Sequence, residues 1–423
     1  MNNNQSMKWF TDSKFGLFIH WGLYALPAGQ WLGKKVEYPA EWIMKNAKIP
    51  LAEYRKLVEQ FNPIDFDAYV WMRKAKAYGV KYVCLTAKHH DGFALYDSDA
   101  SDYSVMSTPF RRDIVRELAE ACKAEGLIFC VYYSQMQDWE DANADGNDWD
   151  FDRKTKNFVK YFQTKVKPQV RELLTNYGDI GMIWFDTPYD MPKTLCQELA
   201  DWVHQLQPDC LINGRIGYGI GDYRTMSDNN IPVLAFDEPW ETPMTLNNNW
   251  GFSKVDFEWK SAKDVIRMLV SVVGKGGNLL LNMGPDALGN FPEKADEVFS
   301  QAGAWLKKNG ESIYQTNIAP DLTYQTRWGG LTAGKDRLYL HILDGREVDD
   351  EVVIYDLELN IKKAYLLETG QVLETIHLYE PARDEFRLRV KVPNPLPDLL
   401  DTVIVLEHDG DPVVHSLESK FSE

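Results

Sequence analysis

Five apolar runs of strand length end abruptly in polar or aromatic side chains, and this repeated pattern constrains the fold more than any other feature. In the clearest case, residues 181–185 are followed directly by Asp186. The other runs cover residues 15–19, 81–87, 127–131 and 210–213, and they lead into His20, Lys88, Tyr132 and Arg215. Stretches with helical periodicity separate the runs, at residues 65–78, 112–125, 158–174 and 194–206.

This alternation of strand and helix predicts an α/β fold, specifically an irregular (β/α)8 TIM-like barrel, in which functional residues lie at the C-terminal ends of the strands. A further strand and helix are predicted at 278–283 and 292–308. Beyond Pro320 the pattern changes to short runs with period-two alternation, which is typical of an antiparallel β-sandwich. We therefore expect a barrel at residues 1–318 and a C-terminal β-sandwich at residues 319–423.

The charge and the cysteine content narrow the range of partners and compartments. A formal net charge of −17, with no cluster of Lys and Arg to offset it, argues against binding to nucleic acid or to anionic membrane surfaces. No apolar run reaches the roughly 18 residues that a membrane-spanning helix needs. The five cysteines are scattered and the N-terminus lacks the apolar core of a signal peptide, so we expect reduced thiols in a bacterial-type cytoplasmic protein.

Neither a metal nor a cofactor is predicted. His89, His90 and Asp91 carry groups that bind zinc, but adjacent residues on a strand point to opposite sides and no second ligand motif accompanies them. Hydrogen bonding to hydroxyl groups is the interpretation we favour, and a core histidine satisfied by the backbone is the alternative. The glycine-rich run 274–277 follows a helix and precedes a strand, the reverse of a phosphate-binding loop, so it indicates a helix stop.

Carboxylates are the remaining candidates for chemistry. Asp186 either caps the following helix or acts as a nucleophile held rigidly after Trp184 and Phe185. Arg215, at the end of a buried strand, needs an acidic partner or a ligand. The loop that follows contains further acids, namely Asp222, Asp228, Asp237, Glu238 and Glu241. Two carboxylates without a metal, a nucleotide loop or a Ser/His triad indicate glycoside hydrolysis, in which one attacks the anomeric carbon and the other transfers a proton.

Several motifs, taken together, resemble those of the retaining α-L-fucosidases between about residue 7 and residue 314. They are FGLFIHWG at 15–22, Glu41-Trp42, KHHDGF at 88–93, VYYS at 131–134, WFD at 184–186 and Trp240-Glu241. The resemblance implies a bacterial, intracellular exo-acting enzyme that hydrolyses terminal α-L-fucose from small oligosaccharides or glycoconjugates with retention of configuration. A non-catalytic fucose-binding protein that keeps the barrel pocket is the alternative.

The resemblance also implies roles for individual residues. Asp186 matches the nucleophile, and Asp228 is the favoured acid/base, with Glu241 and Glu238 as alternatives. The fucose pocket is implied to consist of His20, Glu41, Trp42, His89, His90, Tyr132 and Arg215, with Trp184 and Trp250 as aromatic walls. Loops 138–152 and 217–245 are expected to shape the pocket for the departing sugar. The sequence leaves open the linkage preference (α-1,3/1,4 or α-1,6) and whether the chain forms a homo-oligomer. Small imported glycans such as fucosyl-α-1,3-GlcNAc are the expected substrates.

Overall fold

The strands of the N-terminal part form one large sheet. A computed structural model of the chain describes residues 3–36, 38–322, 326–382 and 385–415. Its first ten strands are β1 (Phe15–Ile19), β2 (Gln30–Trp31), β3 (Lys34–Lys35), β4 (Tyr82–Lys88), β5 (Ile128–Tyr133), β6 (Met182–Phe185), β7 (Leu211–Ile212), β8 (Arg224–Thr225), β9 (Trp240–Thr245) and β10 (Asn278–Met283). Strands β2 and β3 pair with each other as a small antiparallel ribbon, and the other eight belong to the large sheet.

The large sheet follows the order of the chain. Its strand order is β7-β6-β5-β4-β1-β10-β9-β8, so strands that follow one another along the chain are neighbours in the sheet. The pairs β1–β4, β4–β5, β5–β6, β6–β7 and β8–β9 are parallel. An isolated parallel bridge between Asn213 and Tyr223 links the two ends of this order. The predicted α/β class with a curled parallel sheet is confirmed.

The helices are α1 (Asn3–Ser13), α2 (Ile43–Asn46), α3 (Leu51–Tyr54), α4 (Ala68–Ala77), α5 (Ile114–Glu125), α6 (Phe158–Tyr161), α7 (Lys167–Asn176), α8 (Lys193–Leu206), α9 (Ala262–Val273) and α10 (Glu293–Asn309). Helices α4 to α8 and α10 lie close to the predicted stretches, whereas α1, α2, α3 and α9 had no predicted range. The predicted helix 158–174 is α6 and α7 joined by a π-helical turn, Phe162–Val166. Helix α5 shows how the sequence sets the ends: Asp113 caps its first turn and Gly126 terminates it with a left-handed φ of 73°.

Side chains at alternate positions of the strands pack together on one face of the large sheet. Tyr82 and Cys84 of β4, Cys130 and Tyr132 of β5, and Met182 and Trp184 of β6 belong to one buried cluster. Residues i and i+2 of a strand point to the same face, so these pairs form successive layers along the strand direction. Tyr132 and Trp184, the layer nearest the C-terminal ends, stack with ring centroids 5.6 Å apart. This layer is the base on which the candidate site is built.

The C-terminal part contains two antiparallel sheets. Its strands are β11 (Gly329–Ala333), β12 (Arg337–Ile342), β13 (Glu351–Tyr355), β14 (Leu357–Leu366), β15 (Thr375–Glu380), β16 (Glu385–Lys391) and β17 (Thr402–Val414). One sheet has the order β11-β12-β17-β14 and the other has the order β13-β16-β15. Both sheets contribute to one apolar cluster, for example through Leu340 of β12 and Leu388 of β16.

The chain divides into two compact units that are not simple consecutive blocks. One unit comprises Met1–Asn230, Trp240–Lys260 and Leu280–Glu297, and the other comprises Ile231–Pro239, Ser261–Leu279 and Val298–Glu423. The residues that line the candidate site all lie in the first unit. Among the described residues, none of the helices combines the length and the apolar character that crossing a bilayer requires.

Candidate active site

A cavity of about 290 Å³ gathers most of the residues singled out by the sequence. Its lining includes His20, Glu41, Trp42, His89, Tyr132, Trp184, Asp186, Arg215, Asp228 and Trp250, together with Phe18, Tyr38, Pro39 and Thr187. Strands β1, β5 and β6 deliver His20, Tyr132 and Asp186 at their C-terminal ends. The cavity is at the small end of the range for ligand pockets, about 300–1,000 Å³, which suits one sugar ring.

Asp186 is a buried carboxylate held at both oxygens. It follows β6 directly and its relative exposure is 9%. The hydroxyl of Tyr132 donates to Oδ2 at 3.0 Å, and Nη1 of Arg215 donates to Oδ1 at 3.0 Å. The backbone N–H of Asp186 donates to Oε1 of Gln135 at 2.8 Å. Main chain and side chain are therefore both fixed, as a nucleophile requires.

Arg215 connects the two carboxylates of the cavity. A 3-10 turn, Gly214–Ile216, places Arg215 beyond the end of β7. One guanidinium nitrogen contacts Asp186 and the other contacts Asp228. Burial lowers the pKa of Arg215, but these two carboxylates more than offset that effect and hold the pKa above its ordinary value. The guanidinium therefore stays charged, and Asp186 and Asp228 lie on the same side of the cavity.

Three buried histidines, two of which line the cavity, are neutral. Burial lowers the pKa of His20 to about 3 and holds the pKa values of His89 and His90 well below the ordinary range. Nδ1 of His20 contacts Oδ1 of Asn282 at 2.7 Å. The amide oxygen has no hydrogen to give, so His20 donates from Nδ1 and its Nε2 is left as an acceptor.

His90 does not line the cavity but supports Asp186. Its Nδ1 lies 2.6 Å from Oγ of Ser134, whose own hydrogen is directed to the carbonyl of Gln137. His90 therefore donates from Nδ1, and its Nε2 carries a lone pair 3.6 Å from Oδ2 of Asp186. These two acceptors make no hydrogen bond to each other, so each can accept a hydrogen bond from a ligand hydroxyl.

Glu41 is a second buried carboxyl group in the cavity, with 1% relative exposure. It lies in the 3-10 turn Ala40–Trp42 and accepts the backbone N–H of Gly251 at 2.9 Å. Burial raises its pKa to about 7. Near neutral pH this group is therefore partly protonated, so it can both donate and accept hydrogen bonds to a ligand.

Glu241, the alternative proton donor, lies outside the cavity lining. Its side chain is fully buried and accepts hydrogen bonds from Tyr82 Oη at 2.6 Å, Trp184 Nε1 at 2.9 Å and Tyr223 Oη at 3.1 Å. Burial raises its pKa. Its hydrogen-bond partners belong to the layers of the sheet interior, so the geometry gives Glu241 a structural role beneath Trp184. Glu238 is likewise not a lining residue.

Three neutral amide side chains that the sequence did not single out hold the residues around Asp186. Asn213 accepts the N–H of Phe185 at 2.7 Å, and Gln135 accepts the N–H of Asp186. Nε2 of Gln137 donates to Oγ1 of Thr187 at 2.9 Å. The sequence signal for the two glutamines is weak, because it consists only of polar residues directly after β5. In the part of the chain that the structure describes, no cluster of His, Cys, Asp and Glu has the geometry of a metal site.

Comparison with known proteins agrees with this geometry. The family model "Alpha-L-fucosidase" matches residues 1–311. Human plasma α-L-fucosidase is 29% identical over 356 residues, which cover 77% of this chain and 75% of that protein. The crystal structure of α-L-fucosidase from Vibrio sp. strain EJY3 superposes with a TM-score of 0.91 at 34% identity, covering 98% of this chain and 75% of that chain.

A third relative was captured during turnover. It is an α-L-fucosidase from Bacteroides thetaiotaomicron, solved in a mutant form as a trapped covalent intermediate with 2-fluoro-fucosyl fluoride. It is 31% identical, with a TM-score of 0.85 and 96% coverage of both chains. The family match over residues 1–311 and these likenesses along the chain agree with the carboxylate-lined cavity. The chain belongs to the α-L-fucosidase family.

Proposed function

We propose that this chain hydrolyses terminal α-L-fucosides by a double displacement in which Asp186 is the nucleophile and Asp228 is the acid/base. The reaction class follows from membership of the family. One observation supports the assignment of roles: Arg215 holds both carboxylates on one side of a cavity sized for a single sugar. A shared guanidinium favours the short separation of about 5–5.5 Å between carboxyl groups that retention of configuration requires.

In the first step, an oxygen of Asp186 forms a bond to the anomeric carbon as the bond to the leaving oxygen breaks. Asp228 gives its proton to that oxygen, so the leaving sugar departs as an alcohol. In the second step, Asp228 takes a proton from water, and the water oxygen attacks the anomeric carbon. The ester to Asp186 then breaks, which releases fucose and restores both carboxyl groups to their starting states.

Arg215 links the charges of the two carboxylates. When Asp186 becomes an ester it loses its negative charge, and the guanidinium then has Asp228 as its remaining anionic partner. The Asp228 side chain is 47% exposed, so solvent water can reach it for the second step.

The cavity walls suit a neutral, deoxygenated sugar. His20 and His89 offer uncharged nitrogens and Glu41 offers a partly protonated carboxyl group to ring hydroxyls, while Phe18, Trp184 and Trp250 offer apolar surface to the methyl group. A hydroxyl with the wrong stereochemistry leaves a buried group unpaired, at a cost of about 1–3 kcal/mol each. The alternative, a fucose-binding protein without activity, is not favoured because both carboxylates are present in the cavity.

The compartment and the detailed architecture are further proposals. We propose that the chain is a bacterial cytoplasmic enzyme acting on small fucosylated oligosaccharides, because its five cysteines are free and buried.

We propose that the eight strands form a TIM-like barrel at residues 1–318 and that residues 319–423 form a β-sandwich. The bridge from Asn213 to Tyr223 and the apolar cluster shared by the two C-terminal sheets support these architectures. A homo-oligomer and the linkage preference stay open to measurement.

Chemical rescue tests the assignment of the nucleophile. Asp186→Gly should lose turnover of nitrophenyl α-L-fucoside and regain it when azide is added, with a fucosyl azide of inverted configuration as the product. Asp228→Gly is the matched control: with azide it should give a fucosyl azide of retained configuration, because azide then replaces water in the second step. Full activity of Asp186→Gly, or the same product from both variants, would refute these roles. A metal chelator should leave wild-type turnover unchanged.

A further inference from the structure

A second cleft lies beside the catalytic cavity in the same compact unit. It has a volume of about 560 Å³, and its lining includes Tyr38, Asn248, Asn249, Asp256, Phe257 and Glu258. Tyr38 also lines the catalytic cavity, so this residue is common to both spaces. The cleft is contributed by residues 29–36, 38–40 and 248–258, whereas the sequence placed the pocket for the departing sugar in loops 138–152 and 217–245.

Two hydrogen-bonded segments form a wall between the spaces. The N–H of Ala40 donates to Oδ1 of Asn249 at 2.7 Å, and the N–H of Gly251 donates to Oε2 of Glu41 at 2.9 Å. Successive residues face opposite ways: Glu41 and Trp250 line the catalytic cavity, while Ala40 and Asn249 line the cleft. These two hydrogen bonds hold the segments together, and they fix the position of the cleft relative to the catalytic cavity.

Tyr38 stands at the edge where the two spaces meet. Its side chain is 56% exposed. Partial burial raises the pKa of its hydroxyl, and the negative charges of Glu41, Asp228 and Asp256 add to this effect. Glu41 and Asp228 belong to the catalytic cavity and Asp256 belongs to the cleft. Tyr38 is therefore within electrostatic reach of Asp228 in the catalytic cavity and of Asp256 in the cleft.

The surface of the cleft has the chemistry of a sugar-binding site. Phe257 is 80% exposed, so most of its ring is available to contact a ligand. Beside it, Asp256 is held by the N–H of Asn248 at 2.8 Å and by Nδ2 of Asn249 at 2.7 Å. An exposed ring next to a fixed array of polar groups matches the two kinds of surface on a sugar, the C–H face and the hydroxyl edge. Two acids, Asp256 and Glu258, and one base, Lys35, line the cleft, so its net negative charge disfavours anionic ligands.

We propose that this cleft binds the first sugar of the leaving group, a neutral saccharide unit that lies against Phe257 while its fucosyl substituent occupies the catalytic cavity. The proposal rests on the fucosidase reaction proposed above. It assigns the departing oxygen to the region near Asp228 and Tyr38, where a protonated carboxyl group can reach it. The ring of Phe257 then determines how well oligosaccharides bind without taking part in the chemistry.

Two substrates separate binding in the cleft from catalysis. Fucosyl fluoride has no leaving sugar, so its hydrolysis reports on the catalytic cavity alone, whereas a neutral fucosylated oligosaccharide uses both spaces. Phe257→Ala should lower kcat/KM for the oligosaccharide about tenfold and leave kcat/KM for fucosyl fluoride unchanged. Phe257→Trp should restore the oligosaccharide value. Tyr69→Ala removes an exposed ring of α4 that lines neither space, so it should change neither value.

The outcomes distinguish this proposal from the underlying function. If wild-type enzyme does not hydrolyse fucosyl fluoride, the fucosidase reaction itself is wrong. If it does, but Phe257→Ala hydrolyses the oligosaccharide as well as wild type or loses both substrates equally, the cleft is not the leaving-group site. Equal kcat/KM for disaccharides with a neutral and with a uronic-acid leaving sugar would overturn the preference for neutral ligands.

Discussion

Replacing Glu241 by leucine should destabilise the protein, because it removes an acceptor that three buried donors share. The hydroxyls of Tyr82 and Tyr223 and the indole N–H of Trp184 all donate to this carboxyl group at 2.6–3.1 Å. Tyr223 has a second acceptor in Met182 Sδ at 2.9 Å, so the loss falls mainly on the other two donors and should be about 2 kcal/mol or more. Thermal unfolding followed by near-ultraviolet circular dichroism measures the loss.

Asp228→Asn is the matched comparison, since Asp228 and Glu241 are the main candidates for the acid/base. The Asp228 side chain is 47% exposed, so the unfolding temperature should hardly change. Its turnover of substrates with poor leaving groups should fall by about 100-fold or more. The assignment is refuted if Glu241→Leu unfolds at the wild-type temperature and loses turnover as Asp228→Asn does.

Other changes test separate parts of the structure. Gln135→Leu removes the acceptor for the N–H of Asp186 and should lower kcat by about 10- to 100-fold, since small displacements of a nucleophile are costly; an unchanged kcat in steady-state kinetics would contradict this. Lys88→Met removes one of the two lysines paired with buried Asp138 and leaves Lys165, so it should cost about 1.5–3 kcal/mol in denaturant unfolding; a loss below about 1 kcal/mol would argue otherwise. Burial raises the pKa of Glu41 from 4.5 to about 7, so its contribution to stability is complete below pH 4.5 and is lost as the pH rises to 7, by on the order of 3 kcal/mol. Glu41→Gln should flatten this part of the pH dependence of the unfolding temperature, and an identical slope in both proteins would count against the buried carboxyl.

Local patterns were enough to predict the strand that carries Asp186. The run 181–185 is apolar throughout, ends in an acid and alternates with helical stretches, and the structure places β6 at Met182–Phe185. The same holds for α5 and α8, whose apolar faces are local patterns; the ends of α5 are also marked by the adjacent residues Asp113 and Gly126. These predictions succeeded because the signals are short-range: periodicity, capping groups and abrupt changes of polarity.

These local signals could not identify the proposed proton donor on their own. Asp228 and Glu241 follow Asp186 in the same acid-rich region, and both suit an acid/base role by composition. Every residue of β9 is buried, so the strand shows no polar face that would reveal which way Glu241 points. The register of a strand, meaning which of its residues pair with which residues of the next strand, is set by pairing with distant parts of the chain. A shift of this register by one residue turns each side chain to the opposite face of the sheet.

The sequence by itself determined the α/β class and the family and predicted most of the residues that line the cavity, because each of these signals lies in a short motif. It did not predict Tyr38 or Thr187 as lining residues, and His90, which it did predict, does not line the cavity. Only the tertiary structure decided which acid faces the cavity, and it added partners such as Gln135 and Asp186, which are 51 residues apart in the chain. It also placed Phe257 and Tyr38 around one cleft, from segments that are distant in sequence. Contacts of this kind depend on how strands are packed side by side, and no local pattern of residues records that packing.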